Sequence, residues 1–237
     1  MDHIEEFVDE RQRGWCIHCG GSVRELAVNR DHVPSKSLLR RPYPANLPVV
    51  TVCKACNKGF SLDEEYLSAF LGCAISGSSD TEHQGNPGVG AILRRSPGLK
   101  ALIERSRMDV PTLFGDTRTV WTAEVDRVNR IMVKNARGHA FFEYGEPMLR
   151  EPAHVWAAPL ESLTQEQRED FENVKTGGGW PEVGSRMVTR VMTGQDMLEG
   201  WVVVQDGVYR YSIVQQGVLL VRTVLQEYLA AEVYWSE

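Results

Sequence analysis

The 237-residue chain has no apolar run approaching the roughly 18 residues that a membrane-crossing helix needs. Its first residues, MDHIEEFVDERQRG, have neither the basic start nor the apolar stretch of a secretory signal, so a cytoplasmic protein with no membrane partner is expected. Cysteine is scarce, with five in the chain, and thiols in a reducing compartment are poor disulfide material. An excess of positive charge is also lacking: the net charge of −6 argues against indiscriminate polyanion binding. GGGW at 177–180 has no Lys-Ser/Thr to make it a phosphate loop and reads as a turn. With 42% apolar residues the chain nonetheless has the material for a buried core.

What is present is concentrated near the N-terminus. Four of the cysteines form two CxxC pairs, Cys16/Cys19 and Cys53/Cys56, with Cys73 left over. Two such knuckles bring four thiolates round one ion, and a closed tetrahedral sulfur site suits a structural zinc that holds the fold and does no chemistry. His18, inside the first knuckle, reads as a surface side chain because the cysteines complete the shell. Residues 12–58 also carry eight Lys or Arg against two acids, a basic module in an acidic body, compatible with a confined nucleic-acid site.

Along the chain, residues 1–13 read as a short amphipathic helix with Ile4, Phe7 and Val8 at helical spacing. From Trp15 to about Leu71 the order is knuckle, strand, proline-rich loop (RRPYPANLP), strand (LPVVTVC), knuckle and helix. In SLDEEYLSAFLG, Ser61 and Glu64 form a capping-box pair, and Leu62, Tyr66, Leu67, Phe70 and Leu71 supply an apolar face; the sequence leaves open a helical turn that already begins at Ala55. Asp63, Glu64 and Glu65 suit the dipole at that helix start. Residues 76–90 read as a mobile loop, and AILRRSPGLKALIERS as two short helices broken at Pro97. TAEVDRVNRIMVKNARG predicts an amphipathic helix from Thr122 to a stop at Gly138, followed by short runs such as HAFFEY. Asp206-Gly207 between GWVVVQ and VYRYSIV signals a hairpin. His139 and His154 read as packed or surface side chains. The expected organisation is α+β: a module over 1–75, a loop and short helices over 76–110, and an α+β domain with an antiparallel sheet over 111–237.

CIHCG, DHVPSK, NLPVVTVC and CNKGFS, in this order, resemble the HNH endonucleases over about residues 15–72. The resemblance implies a ββα-metal, treble-clef-like module stabilised by zinc, in its H-N-N form, that cuts DNA to leave 5′-phosphate and 3′-hydroxyl ends. It implies that His32 is the general base, that Asp31 and Asn57 hold a divalent ion, and that Asn46 orients the base. Such chemistry needs an activated water and a cation to neutralise charge developing at phosphorus, which an imidazole and one divalent ion supply. Carboxylate and amide oxygens as ligands favour Mg²⁺ or Mn²⁺ over Zn²⁺. Lys36, Arg40, Arg41, Lys54 and Lys58 are the expected phosphate contacts. Defence effectors and toxins of bacteria often carry such modules. A regulatory protein or a second copy of the chain is the partner left open for the C-terminal domain. A non-catalytic zinc-stabilised nucleic-acid-binding module and a protein-interaction scaffold are the competing readings.

Overall fold

The computed structural model describes residues 2–5, 12–111, 117–174, 181, 183–215 and 217–236. The expected turn at 177–180 lies outside them. The chain divides into two compact units, one made of residues 1–60 with 129–237 and the other of residues 61–128. Two long helices each have residues in both. Among the described residues no helix is long and apolar enough to cross a membrane.

In the first unit, β1 (Asp2–Glu5) pairs in parallel with β3 (Asn46–Cys53), which also pairs antiparallel with β2 (Val28–His32). The N-terminal helix expected over 1–13 is therefore a strand at 2–5, and residues 6–11 lie outside the described residues. Backbone pairing along β3 outweighs a helical spacing carried by only three apolar residues. β3 is the central strand, and its run from Leu47 to Val50 is buried, as a strand covered on both faces should be.

α1 (Lys54–Ser76) starts directly after β3, seven residues before the capping pair read at Ser61. The physical reason is Cys53, whose sulfur accepts from the Cys56 N–H at 3.3 Å and so occupies the place of an N-cap. Ser61 and Glu64 are interior to the helix as a result. Tyr66, Leu67, Phe70 and Leu71 are buried as expected, whereas Leu62 is 73% exposed.

The second unit holds the rest of α1, then α2 (Pro87–Arg95), α3 (Pro97–Arg105) and a hairpin of β4 (Arg107–Pro111) and β5 (Thr117–Trp121). The break at Pro97 lies where the sequence places it. Residues 87–90, expected in the loop, instead open α2, because the Asn86 side chain accepts from the Gly88 N–H at 2.9 Å and Pro87 suits the first helical position. Asp63 accepts from Arg127 at 2.6 Å, and Glu65 from Arg95 at 2.9 Å.

α4 (Val125–Tyr144) runs six residues past Gly138 and absorbs the HAFFEY stretch. Gly138 does not stop this helix; its missing side chain lets the helix approach Val33 closely. Beyond it, β6 (His154–Pro159), α5 (Gln165–Glu172), α6 (Arg186–Thr193), β7 (Met197–Leu198), β8 (Trp201–Gln205), β9 (Tyr209–Gln215), β10 (Val218–Leu225) and β11 (Leu229–Ser236) complete the first unit. The six strands form one antiparallel sheet in the order β6-β11-β10-β9-β8-β7, and the β8–β9 hairpin turns at Asp206-Gly207 as expected. Gln205 stitches the proline-rich loop to this sheet. It accepts from the Arg40 N–H at 2.9 Å and donates to the carbonyls of Arg40 and Pro42. The N-terminal strands and the C-terminal sheet thus share a unit. One core cluster joins Cys16, Ile17, Val33, Val50, Val52 and Cys53 to Phe141 of α4.

Candidate active site and metal centre

The first knuckle is a tight backbone turn in which Cys16 N–H donates to Gly21 and Gly20 N–H to Cys16, with Gly20 in the left-handed region at φ 68°. The second is the junction of β3 and α1. Together they bring Cys16, Cys19, Cys53 and Cys56 to within 4.8 Å of one another, sulfur to sulfur. Zinc–sulfur bonds of about 2.3 Å in a tetrahedron separate sulfurs by about 3.8 Å. Cys19 and Cys53 already stand 3.8 Å apart. The Cys53 N–H donates to Cys16 sulfur at 3.4 Å, the kind of bond that stabilises a thiolate. The four cysteines therefore fit a structural zinc ion by donor type, number and spacing.

Asp31 and His32 end β2, opposite Val50 and Val49 of β3. Asp31 is buried, and its carboxylate receives the ammonium of Lys134 from α4, at 2.8 Å to Oδ2 and 3.1 Å to Oδ1. The same ammonium donates to Ser35 Oγ at 2.7 Å. Asn135 braces that serine, its Oδ1 accepting from Ser35 N–H at 3.0 Å and from Oγ at 3.3 Å, while its own amide donates to Ile131 one turn back. The carboxylate expected to hold a divalent ion thus has a cation supplied by the chain.

His18 does not lie on the surface as expected. Its side chain is 2% exposed, with Nε2 at 4.0 Å from Asp31 Oδ2 and its ring edge-on to Phe60 at 4.9 Å. Burial, with the charges of Lys134 and Arg137 adding to it, pushes its pKa down to about 3, so the imidazole beside Asp31 is neutral. The knuckle is short enough to turn this side chain inward along with the sulfurs.

The remaining expected site residues lie on α1, on β3 and in the segment between β2 and β3. Asn57 is in the first turn of α1, and Asn46 is exposed at the start of β3, three residues before the partner of His32. Lys36 and Arg41 flank one aromatic ring, with Lys36 Nζ 5.6 Å and Arg41 Cζ 5.4 Å from the centre of Tyr43. Arg40 is exposed, and its guanidinium donates to Gln226, in the turn between β10 and β11, at 2.6 Å. Lys54 and Lys58 are exposed on α1.

A second buried polar cluster stands between α4 and β9. His139 Nε2 lies 2.8 Å from the Tyr209 hydroxyl, and its ring stacks on Tyr211 at 3.6 Å. Tyr211 donates to Glu143 at 2.6 Å, and Arg190 Nε bonds both Glu143 oxygens at 3.0 and 3.1 Å. Burial pushes the Glu143 carboxyl up, against the pull of Arg190. His139 is a packed histidine, as the sequence reading has it.

Lys134, Ser35, Asn135 and the inward position of His18 escaped the sequence reading. For Lys134 the signal is the run KNARGHAFFEY, where Lys134, Arg137, His139 and Glu143 interrupt apolar residues without collecting on one polar face. Ionisable residues in a helix with no polar face are buried with partners. Protein-family models, curated proteins and solved structures were compared with the chain, and none matches.

Proposed function

We propose that the protein is a zinc-stabilised phosphodiesterase of the HNH kind acting on DNA, with His32 as the general base. The observation that carries this reading is a register. β2 and β3 pair so that Asp31 and His32 stand opposite Val50 and Val49, and β3 runs straight into the sulfur-capped helix that bears Asn57. A two-stranded antiparallel pair followed by a helix, clamped by four cysteines, is the arrangement in which the resemblance gives His32 its role. Near neutral pH an imidazole accepts a proton from water, and a neighbouring cation offsets the charge that gathers on the phosphoryl oxygens. The resemblance assigns that cation to a divalent ion between Asp31 and Asn57. Zinc at the four cysteines would fix the start of α1 against β2.

A second reading, a zinc-stabilised module that binds nucleic acid without cutting it, is favoured by one observation. The Asp31 carboxylate is ion-paired with Lys134. Incubation of the zinc-loaded chain with supercoiled plasmid, with and without Mg²⁺ or Mn²⁺, separates the two. Nicking by the wild type that His32→Ala abolishes, with zinc content and unfolding temperature unchanged, is expected. DNA retained in a shift assay with no nicking under any ion leaves the binding module, and no DNA retained leaves the scaffold.

A further inference from the structure

We propose that Lys134 is the resident cation of the Asp31 site and that it keeps a divalent ion from binding there. The bearing of this on catalysis rests on the nuclease reading above; the exclusion of the ion does not.

The ammonium has a built receptor. Asp31 offers both carboxylate oxygens at 2.8 and 3.1 Å, Ser35 offers its hydroxyl at 2.7 Å, and the Phe60 ring lies 5.8 Å away. Ser35 is held by Asn135, which follows Lys134 on α4, so the receptor and its occupant are fixed by the same helix. The approach of α4 is set one turn further on, where Gly138 meets Val33 just past the end of β2. Lys134 and Gly138 are four residues apart and lie on one face. The close approach at Gly138 therefore brings Lys134 within reach of Asp31.

The side chain of Lys134 is 2% exposed and that of Asp31 is 12% exposed. A Mg²⁺ ion takes its oxygen ligands at about 2.0–2.1 Å. Bound to Asp31 it would stand close to the ammonium, and two cations at a few ångströms in a medium poorer than water in screening repel strongly. Entry of the ion requires the lysine to leave, and leaving strands a buried charge. A Ser35–Lys134 nucleophilic pair is a poorer use of the same atoms. Ser35 Oγ accepts from the ammonium and directs its own proton to Asn135 Oδ1, away from the lysine. In the nuclease reading, Lys134 then takes the place at Asp31 that the resemblance assigns to a metal.

The test follows Mn²⁺ binding to the zinc-loaded full chain by the electron-spin signal of the free ion. The wild type is expected to show no site that Asp31→Asn removes. Lys134→Met is expected to gain one, lost again in the Asp31→Asn/Lys134→Met double variant. A wild-type site that Asp31→Asn removes, no weaker than that of Lys134→Met, overturns the proposal. Because Lys134→Met leaves the buried Asp31 carboxylate unpaired at a cost to folding, the ¹⁵Nζ signal of Lys134 is also followed in the wild type. Persistence of that signal without paramagnetic broadening at millimolar Mn²⁺ supports the proposal, and broadening beyond that of surface lysines overturns it. Cleavage by the wild type with no added divalent ion joins the lysine to the nuclease reading. Absence of cleavage in every variant, with the Mn²⁺ results as expected, ends the nuclease reading and leaves the resident cation standing.

Discussion

Gly138 lies so close to Val33 that a methyl group at its position would stand 2.8 Å from Val33 Cγ2 and 3.0 Å from Cγ1. Val33 is buried and its branched side chain has little freedom to swing aside. Gly138→Ala gains up to about 1 kcal/mol of helix propensity, while overpacking a filled core costs about 1–3 kcal/mol. A net loss of stability is expected in denaturant unfolding. Gly138→Ala at or above wild-type stability would show that the contact does not set the position of α4.

Asp31 and Lys134 form a pair whose halves cannot be removed singly without penalty. Asp31→Asn is expected to cost about 3–5 kcal/mol, because it leaves a buried ammonium uncompensated. Asp31→Asn/Lys134→Met is expected to be more stable than the Asp31→Asn single variant, giving a large coupling energy in the double-mutant cycle. Additive effects would place the two side chains apart in solution.

How much of this was legible in the chain follows the range of each interaction. The four cysteines are readable because each CxxC is a local turn, and Asp206-Gly207 because a two-residue hairpin is local too. α4 is longer than its periodicity suggests, since Gly138 carries the mark of a helix end and only Val33, over a hundred residues earlier, shows why a glycine stands there. Lys134 is unreadable for the same reason: its partners Asp31 and Ser35 are 103 and 99 positions away. Ser61 is a sound cap by pattern, displaced because Cys53 caps the helix first. Of the candidate site, Asp31 is placed by its strand, but what it binds is decided by tertiary structure.

Three of the four cysteines, Cys16, Cys53 and Cys56, pack in the same apolar core as Val33, Val50 and Phe141, while Cys19 is exposed. Cys53→Ser is therefore expected to lose the zinc and to lower the unfolding temperature of the whole first unit, as a strong chelator should in the wild type. Cys73 is buried but outside the cluster. Cys73→Ala should keep the full zinc content. Metal analysis beside thermal unfolding checks both, and unchanged zinc in Cys53→Ser would remove that residue from the ligand set.

Tyr43 carries Lys36 and Arg41 near its ring, an aromatic surface flanked by positive charge. Such surfaces stack unpaired bases, at about 1–3 kcal/mol per base. On the proposed function, Tyr43→Ala is expected to weaken single-stranded DNA binding by roughly 5- to 150-fold. Lys36→Ala should instead lessen the dependence of affinity on salt by about one phosphate contact. Fluorescence anisotropy at several salt concentrations separates the two effects, and wild-type affinity in Tyr43→Ala would remove Tyr43 from the proposed DNA surface.

His139 gives the fold a pH dependence of defined sign. Burial, with Arg190 adding to it, pushes its pKa from 6.5 down to about 3 in the folded chain. The unfolded chain therefore binds a proton below about 6.5 that the folded chain refuses. Stability is expected to fall as pH drops from about 6.5 towards 3, by up to about 1.4 kcal/mol per pH unit from this group. Glu143, raised by its burial, acts the other way, losing stability as pH rises above its unfolded value of 4.5. Comparison with His139→Phe isolates the histidine, because Glu143, Arg190 and Tyr211 remain in both proteins. Urea unfolding between pH 5 and 7.5 should give a shallower acid-side slope for His139→Phe than for the wild type. Parallel slopes would mean that the imidazole takes up its proton as readily in the folded chain as in the unfolded one.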